Sequence, residues 1–500
     1  MNPARAYLRS HRGRPASWSD RYVTGFSLVL GLVLLGQPVA TVLGGLARTA
    51  DPARIGAGLA LIAAAYAGLL ALARAVGPIA LPAADAAWLV LSPLPRRSVV
   101  LRSALILLVT AVVAGGVLGV AGLAVLGSTG SLGPHLMPAL VIGVTVSVAG
   151  AATAVLAQAS QTWDTRLQVL VAGCVLAAVL AALLSTVLGG GPGRQVLVAV
   201  AAAPASVVTA VAGLAAAAAA LLVRQAWAAL DRLPARGVLA SSEKAGRVAS
   251  AAVAMDPGAL SWIAEDNHWR GRTLRSRPWP RLAGRWRAAA PAWQEWRRLS
   301  RRPGRLALLY CCAALPALAA QATGGLSALP VVALFGGALG AAATATTGAR
   351  RDGDDPSLAR LLAVGPRAVM AARTLLPTAL AASWLVLALS GLAVAGLLPS
   401  GLWWALGVAT APALSAGALR MARRAPIDHS MPMVEIPGSP PLPIGLLLWA
   451  LTGLDLVLVG CLPALAALGA PPASLASHVA TQAVAGLAVL IGFVRRRPAR

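Results

Sequence analysis

Residues 103–127 read SALILLVTAVVAGGVLGVAGLAVLG, an unbroken run without a charged side chain. It exceeds the roughly 20 apolar residues that a helix needs to cross a hydrocarbon core of about 30 Å. Similar runs recur along all 500 residues, of which 58% are hydrophobic, and the mean hydropathy is +0.76. Soluble domains carry about 45–50% apolar residues, so the composition places this chain among all-α polytopic membrane proteins. A membrane barrel would show short strands of alternating polarity, and these Ala-, Leu-, Val- and Gly-rich runs do not alternate.

Working outward from 103–127, the hydropathy pattern predicts about twelve spans in two rows of six. The first row covers 24–47, 55–78, 103–127, 134–158, 167–188 and 195–223. The second covers 305–322, 327–348, 374–397, 401–420, 443–468 and 474–494. Pro204 inside the sixth run predicts a kink or break there. Three regions result: a six-helix half over 1–223, a basic linker over 224–304, and a second six-helix half over 305–500.

The chain holds 42 Lys+Arg against 16 Asp+Glu, a formal net charge of +26. Lys244 is the sole lysine. On a soluble protein this balance would point to nucleic acid. Here the arginines cluster beside the apolar runs, where basic residues set topology, so no nucleic-acid partner is expected. With the amino terminus inside, the external loops hold only Arg48, Arg54 and Arg194. Both termini are therefore expected to be cytoplasmic, in a multi-pass protein of the cell membrane.

The linker carries Trp227, Trp262, Trp269, Trp279, Trp286, Trp293 and Trp296 among many arginines. Amphipathic rings and guanidinium groups suit the headgroup zone of membrane lipids, and 290–302 is expected to form a surface helix. Cys174, Cys311, Cys312 and Cys461 all fall in apolar runs and read as small hydrophobes. No phosphate-cradling G-x-x-x-x-G-K-[ST], His-Glu-x-x-His or G-x-S-x-G occurs, so neither catalysis nor a cofactor is expected of this chain. Asp455 is the one carboxylate expected well inside a span, with no basic residue obviously placed to pair with it. An intramembrane ionisable group is a functional candidate by default.

One small pattern occurs twice, each time between the second and third spans of its half. In the first half, residues 84–97 read ADAAWLVLSPLPRR, followed by Arg102. In the second, 355–367 read DPSLARLLAVGPR, followed by Arg373. Leu91 aligns with Leu362, Pro95 with Pro366, Arg96 with Arg367, and Arg102 with Arg373. Trp88 and Leu91 in one copy, and Leu358, Leu361 and Leu362 in the other, lie at helical spacing ahead of a proline expected to stop the helix.

The second copy resembles the connection between the second and third helices in the permeases of type-2 ABC exporters. In that family the connection reads roughly Gly-Thr-Leu-Glu-x-Leu-Leu, then Pro, Arg and a basic residue before the third helix. Here Pro356-Ser357 stands for Gly-Thr, Ala359 for the Glu and Arg373 for the last basic residue. Residues 293–306, WQEWRRLSRRPGRL, are similar to the surface helix that precedes the first span of such permeases. The resemblance implies an ATP-driven exporter of amphipathic cargo, with two copies of a soluble ATPase as partners beside membrane lipids. Its docking residues would be Trp88, Leu91, Pro95, Arg96, Arg102, Leu358, Leu361, Leu362, Pro366, Arg367 and Arg373. A secondary transporter remains the alternative, as does a membrane enzyme or assembly scaffold.

The topology has a direct measurement. Reporter domains fused after Ser131 and after Pro471 are expected to read as external, and a cytoplasmic reading at either site overturns the twelve-span arrangement.

Overall fold

The computed structural model describes residues 52–126, 133–186, 203–253, 289–355, 365–425, 451–470 and 474–495, with a few isolated positions between them. The expected first span, 24–47, lies outside the described residues. Among those described there is no strand, and the protein is an all-α polytopic membrane protein.

The first half supplies α1 (Pro52–Val76), a short α2 (Ala83–Leu89), α3 (Arg96–Leu126), α4 (Gly133–Ala159), α5 (Gln161–Thr186) and α6 (Ala205–Ala229). Helix α7 (Ala235–Val253) and the short α8 (Ala290–Ser300) belong to the linker. The second half begins with α9 (Pro303–Cys311), which passes through a 3-10 turn into α10 (Leu315–Thr323). It continues with α11 (Ala328–Ala343), α12 (Thr347–Asp354), α13 (Pro366–Val394), α14 (Trp403–Ala422), α15 (Leu454–Gly469) and α16 (Leu475–Arg495). Among the described residues nine helices are long and apolar enough to span, counting α9–α10 as one. The pair α11–α12, bent by 59°, makes a tenth. Helix α15 is apolar but shorter. The sixth expected span is broken at Pro204, which stands at the N-cap of α6 and opens that helix.

In each half the fourth helix, α4 or α14, is the one around which the others pack. It touches the second, third, fifth and sixth helices of its own half. The fifth helices differ. Helix α5 lies along α1, whereas α15 lies against α14 and α16. The halves meet where α10 runs against α1. Arg54, at the start of α1, sits against Gly324, just past the end of α10. That contact makes α1 and α11 run in the same direction, so both third-helix connections emerge at the same end of the bundle.

Close helix approach comes from small residues, as it does where no hydrophobic effect operates between helices. A Cβ at Gly119 would stand 2.5 Å from the Ala139 carbonyl oxygen of α4, and one at Gly486 would stand 2.7 Å from that of Ala409. Large side chains point outward instead: Val113 and Val117 of α3, Val169 and Leu176 of α5, and Val484 of α16 are all exposed. These are the faces that hydrocarbon covers.

Proline breaks the backbone ladder at Pro463 in α15, and in hydrocarbon no water can repair the break. Gln482 of α16, fully buried, performs the repair. Its Nε2 donates to the Gly460 carbonyl at 2.7 Å, and its Oε1 accepts from the Ala464 amide at 2.9 Å. The side-chain amide thus bridges the two groups that an unkinked helix would have bonded to each other. Replacing Gln482 by the similarly sized Leu strands both, at about 1–3 kcal/mol for each group. Gln482→Leu is expected to lower the thermal unfolding midpoint in detergent well below that of an exposed control such as Val484→Leu, and equal midpoints would refute the repair.

Candidate functional site

The two connections are built differently. In the first, α1 ends at Val76 and the chain turns at Gly77. Its φ of +94° is a region that L side chains rarely adopt, and a Cβ there would lie 2.1 Å from Ser241 Oγ. The following extended segment is held by side chains from three helices. Gln158 of α4 pairs with both backbone groups of Ile79, accepting from its amide at 3.1 Å and donating to its carbonyl at 3.0 Å. Ser242 of α7 accepts from the Leu81 amide, and Ser103 of α3 donates to the Ala80 carbonyl.

Helix α2 then lies across a small core of Ile79, Ala86, Val90, Val100, Leu156 and Leu233. Ala86 and Val90 face inward, while Trp88 is 81% and Leu91 69% exposed. Arg96 donates to the Leu233 carbonyl, and the Arg97 guanidinium sits 4.4 Å over the Trp227 ring. Both contacts fasten the start of α3 to the root of the linker. Pro95 and Arg102 are exposed.

The second connection is organised by charge. After α11 the chain bends into α12, which packs between α8, α13 and α14. Arg373 of α13 is buried, and its guanidinium reaches two other helices. Nε and Nη2 meet Asp352 of α12 at 3.1 and 3.3 Å, and Nη1 meets Glu295 of α8 at 3.3 Å and the Pro291 carbonyl at 3.2 Å. Glu295, equally buried, also accepts the Gly348 amide. Arg298 donates to Thr347 Oγ1 at 2.7 Å and lies 3.5 Å from Glu295. Burial pushes the Glu295 carboxyl above its ordinary value, with Arg373 and the Gly348 amide pulling the other way. Burial, then the neighbouring guanidinium groups of Arg351, Arg305, Arg302 and Arg373, bring Arg298 down to about 10.

Three expectations need correction. In the first copy the proline does not stop the docking helix, since α2 ends at Leu89, well ahead of Pro95. Pro366 occupies the first turn of α13 and Pro95 immediately precedes α3, so each opens the third helix of its half; a missing N–H costs nothing there. Arg102 and Arg373 are not equivalent either, since one is exposed and the other sits in the buried network. Asp455 is not buried at mid-span: it lies in the first turn of α15, about half exposed and paired with Arg420 at 2.5 Å. Leu358, Leu361 and Leu362 lie outside the described residues, and Arg367 is exposed.

The sequence reading passed over two groups. Glu295 carries only a weak signal, a carboxylate among large residues on the inward face of an arginine-rich helix. Asp352 stands beside Asp354 and Asp355, and nothing in the sequence tells which arginine it meets. Among the described residues no group of three or more His, Cys, Asp or Glu is placed to hold a metal ion.

The Arg373 network sets an expected cost. Removing one partner of a buried ion pair destabilises by about 3–5 kcal/mol, because the remaining charges are left uncompensated. Arg373→Met is therefore expected to destabilise strongly, whereas Arg102→Met, at the aligned but exposed position, is expected to stay within about 0.5 kcal/mol. Gly348→Ala should behave like Arg373→Met, since its Cβ would stand 2.0 Å from Arg373 Nη1. Equal unfolding midpoints for the Arg373 and Arg102 variants would refute the distinction.

Residues 50–432 match the model of a family of unknown function, DUF6297. No curated protein and no solved structure matches the chain.

Proposed function

Since the chain belongs to this family of unknown function, we propose its activity from geometry and sequence: it is the permease of an ATP-driven exporter, powered by separate soluble ATPase subunits docked at the two connections. In this reading the full chain has twelve spans in two six-helix halves, with both termini and both connections in the cytoplasm. The carrying observation is α2. A seven-residue helix outside the spans and the turn that follows it expose Trp88 and Leu91, while the inward face packs on a dedicated core and four side-chain hydrogen bonds fasten the segment that leads into the helix.

A rigid, outward apolar pair suits a groove on a partner. Burying one such side chain is worth about 1.5–3 kcal/mol. A push on either connection would reach the spans through short paths: Arg96 and Arg97 begin α3 in one half, and Arg373 ties α12 directly to α13 in the other. The cargo would be amphipathic, because the spans offer few charged groups away from their ends. The chain would need no catalytic group of its own, and ATP hydrolysis would belong wholly to the partner.

Co-purification tests the docking. Changing Trp88 and Leu91 together to Asp is expected to cut recovery of the soluble ATPase subunit that this reading requires at least tenfold. The variant's unfolding midpoint should hold, since both side chains are exposed. Undiminished recovery with the variant overturns the docking role.

A further inference from the structure

At the connection end of the first half a cleft of about 190 Å³ opens between α1, α4, α5 and α7. Its walls are small: Ala73, Ala75, Ala154, Ala157, Gly237 and Ala240 leave the hollow. Its polar side chains are Arg74, Gln158, Asp164, Ser241 and Lys244. Gln158 and Ser241 are committed to one another and to the backbone. The two cations are not used up. Arg74 gives Nε and Nη2 to Asp164, at 2.6 and 3.0 Å, which leaves its Nη1 edge for another acceptor. Lys244 makes one long bond, 3.3 Å, to the Ala75 carbonyl at the end of α1, and an ammonium has three donors.

Two features say what enters. First, this cleft contains the chain's single lysine. An ammonium is a compact, strongly hydrated point charge suited to a phosphate oxygen. Second, the cleft is continuous with a hydrocarbon-facing stripe. Val76 lines it, and Leu72 and Leu69 carry the same face back along α1 at i−4 and i−7, about half exposed. Nearby, Trp163 and Arg166 at the start of α5 stack at 4.5 Å, a ring-and-guanidinium pairing suited to the headgroup level.

We propose that this cleft binds the phosphate of a phospholipid from the adjacent leaflet, held by Lys244 and the free edge of Arg74, with an acyl chain lying along Leu72 and Leu69. Basic pockets at the ends of spanning helices recognise headgroups in this way. Asp164 sets the orientation of Arg74 and keeps the site from being purely cationic. The proposal requires only that the chain be embedded in a bilayer, and it stands or falls separately from ATPase docking.

The lone lysine provides the probe. Reductive methylation of the full-length protein with ¹³C-formaldehyde labels one side chain and keeps its charge. In phosphate-free maltoside micelles, phosphatidylglycerol is expected to shift the Lys244 signal saturably, while diacylglycerol with the same chains leaves it in place. Inorganic phosphate should need a far higher concentration. In the double variant Arg74→Gln/Asp164→Asn, which removes the Arg74 donor without leaving a bare carboxylate, the half-saturating phosphatidylglycerol concentration should rise about tenfold, the worth of one charged hydrogen bond. Asp164→Asn alone should not raise it. No saturable shift in the wild-type protein, or an equal response to diacylglycerol, overturns the site. A response to inorganic phosphate without one to phosphatidylglycerol overturns the lipid as its source.

Discussion

Inside a hydrocarbon core a backbone amide or carbonyl without a protein partner has no water to turn to, and each such group costs several kcal/mol. Much of the second half can be read as the consequence. Its helices carry interior prolines at 377, 412 and 463, and each removes a backbone donor. Polar side chains of neighbouring helices appear where the ladder is weakened. Gln482 bridges the groups opened by Pro463. Ser415 donates to the Thr374 carbonyl, three residues before Pro377. The Trp384 indole donates to Leu309, where α9 gives way to its 3-10 turn. The few buried polar residues of these spans are therefore structural, and the helices they bridge are fixed relative to one another.

At the connection end the same requirement is met by charge. The second half buries an arginine against two carboxylates and a carbonyl. The first half holds its connection with neutral amide and hydroxyl groups over an apolar core. Both solutions tie the segment after the second helix to the start of the third, but they differ in failure. Losing a neutral hydrogen bond strands one group, whereas losing Arg373 leaves buried negative charge.

The fifth helices show how one ion pair accompanies a packing choice. Asp164 and Asp455 both stand in the first turn of a fifth helix, where the helix dipole favours an anion. Asp164 meets Arg74 at the end of α1, and Asp455 meets Arg420 at the end of α14. Each fifth helix lies along the helix that supplies its arginine. The two halves therefore share the central fourth helix and part company at the fifth.

The sequence by itself determined the class of fold, because uncharged runs longer than a bilayer is thick have one stable environment. It also located most span centres and the two connections, since proline, arginine and apolar spacing are local signals. It recorded Pro95 but misjudged its direction, because a proline ends one helix and starts another with equal ease. What only the tertiary structure decided is which distant groups meet. Glu295 and Arg373 are 78 positions apart, and Gln158 and Ser241 are 83 apart. In a chain with 42 basic residues any carboxylate has many conceivable partners, and packing alone selects one. That selection buried Arg373, left the aligned Arg102 exposed, and paired Asp455 with Arg420.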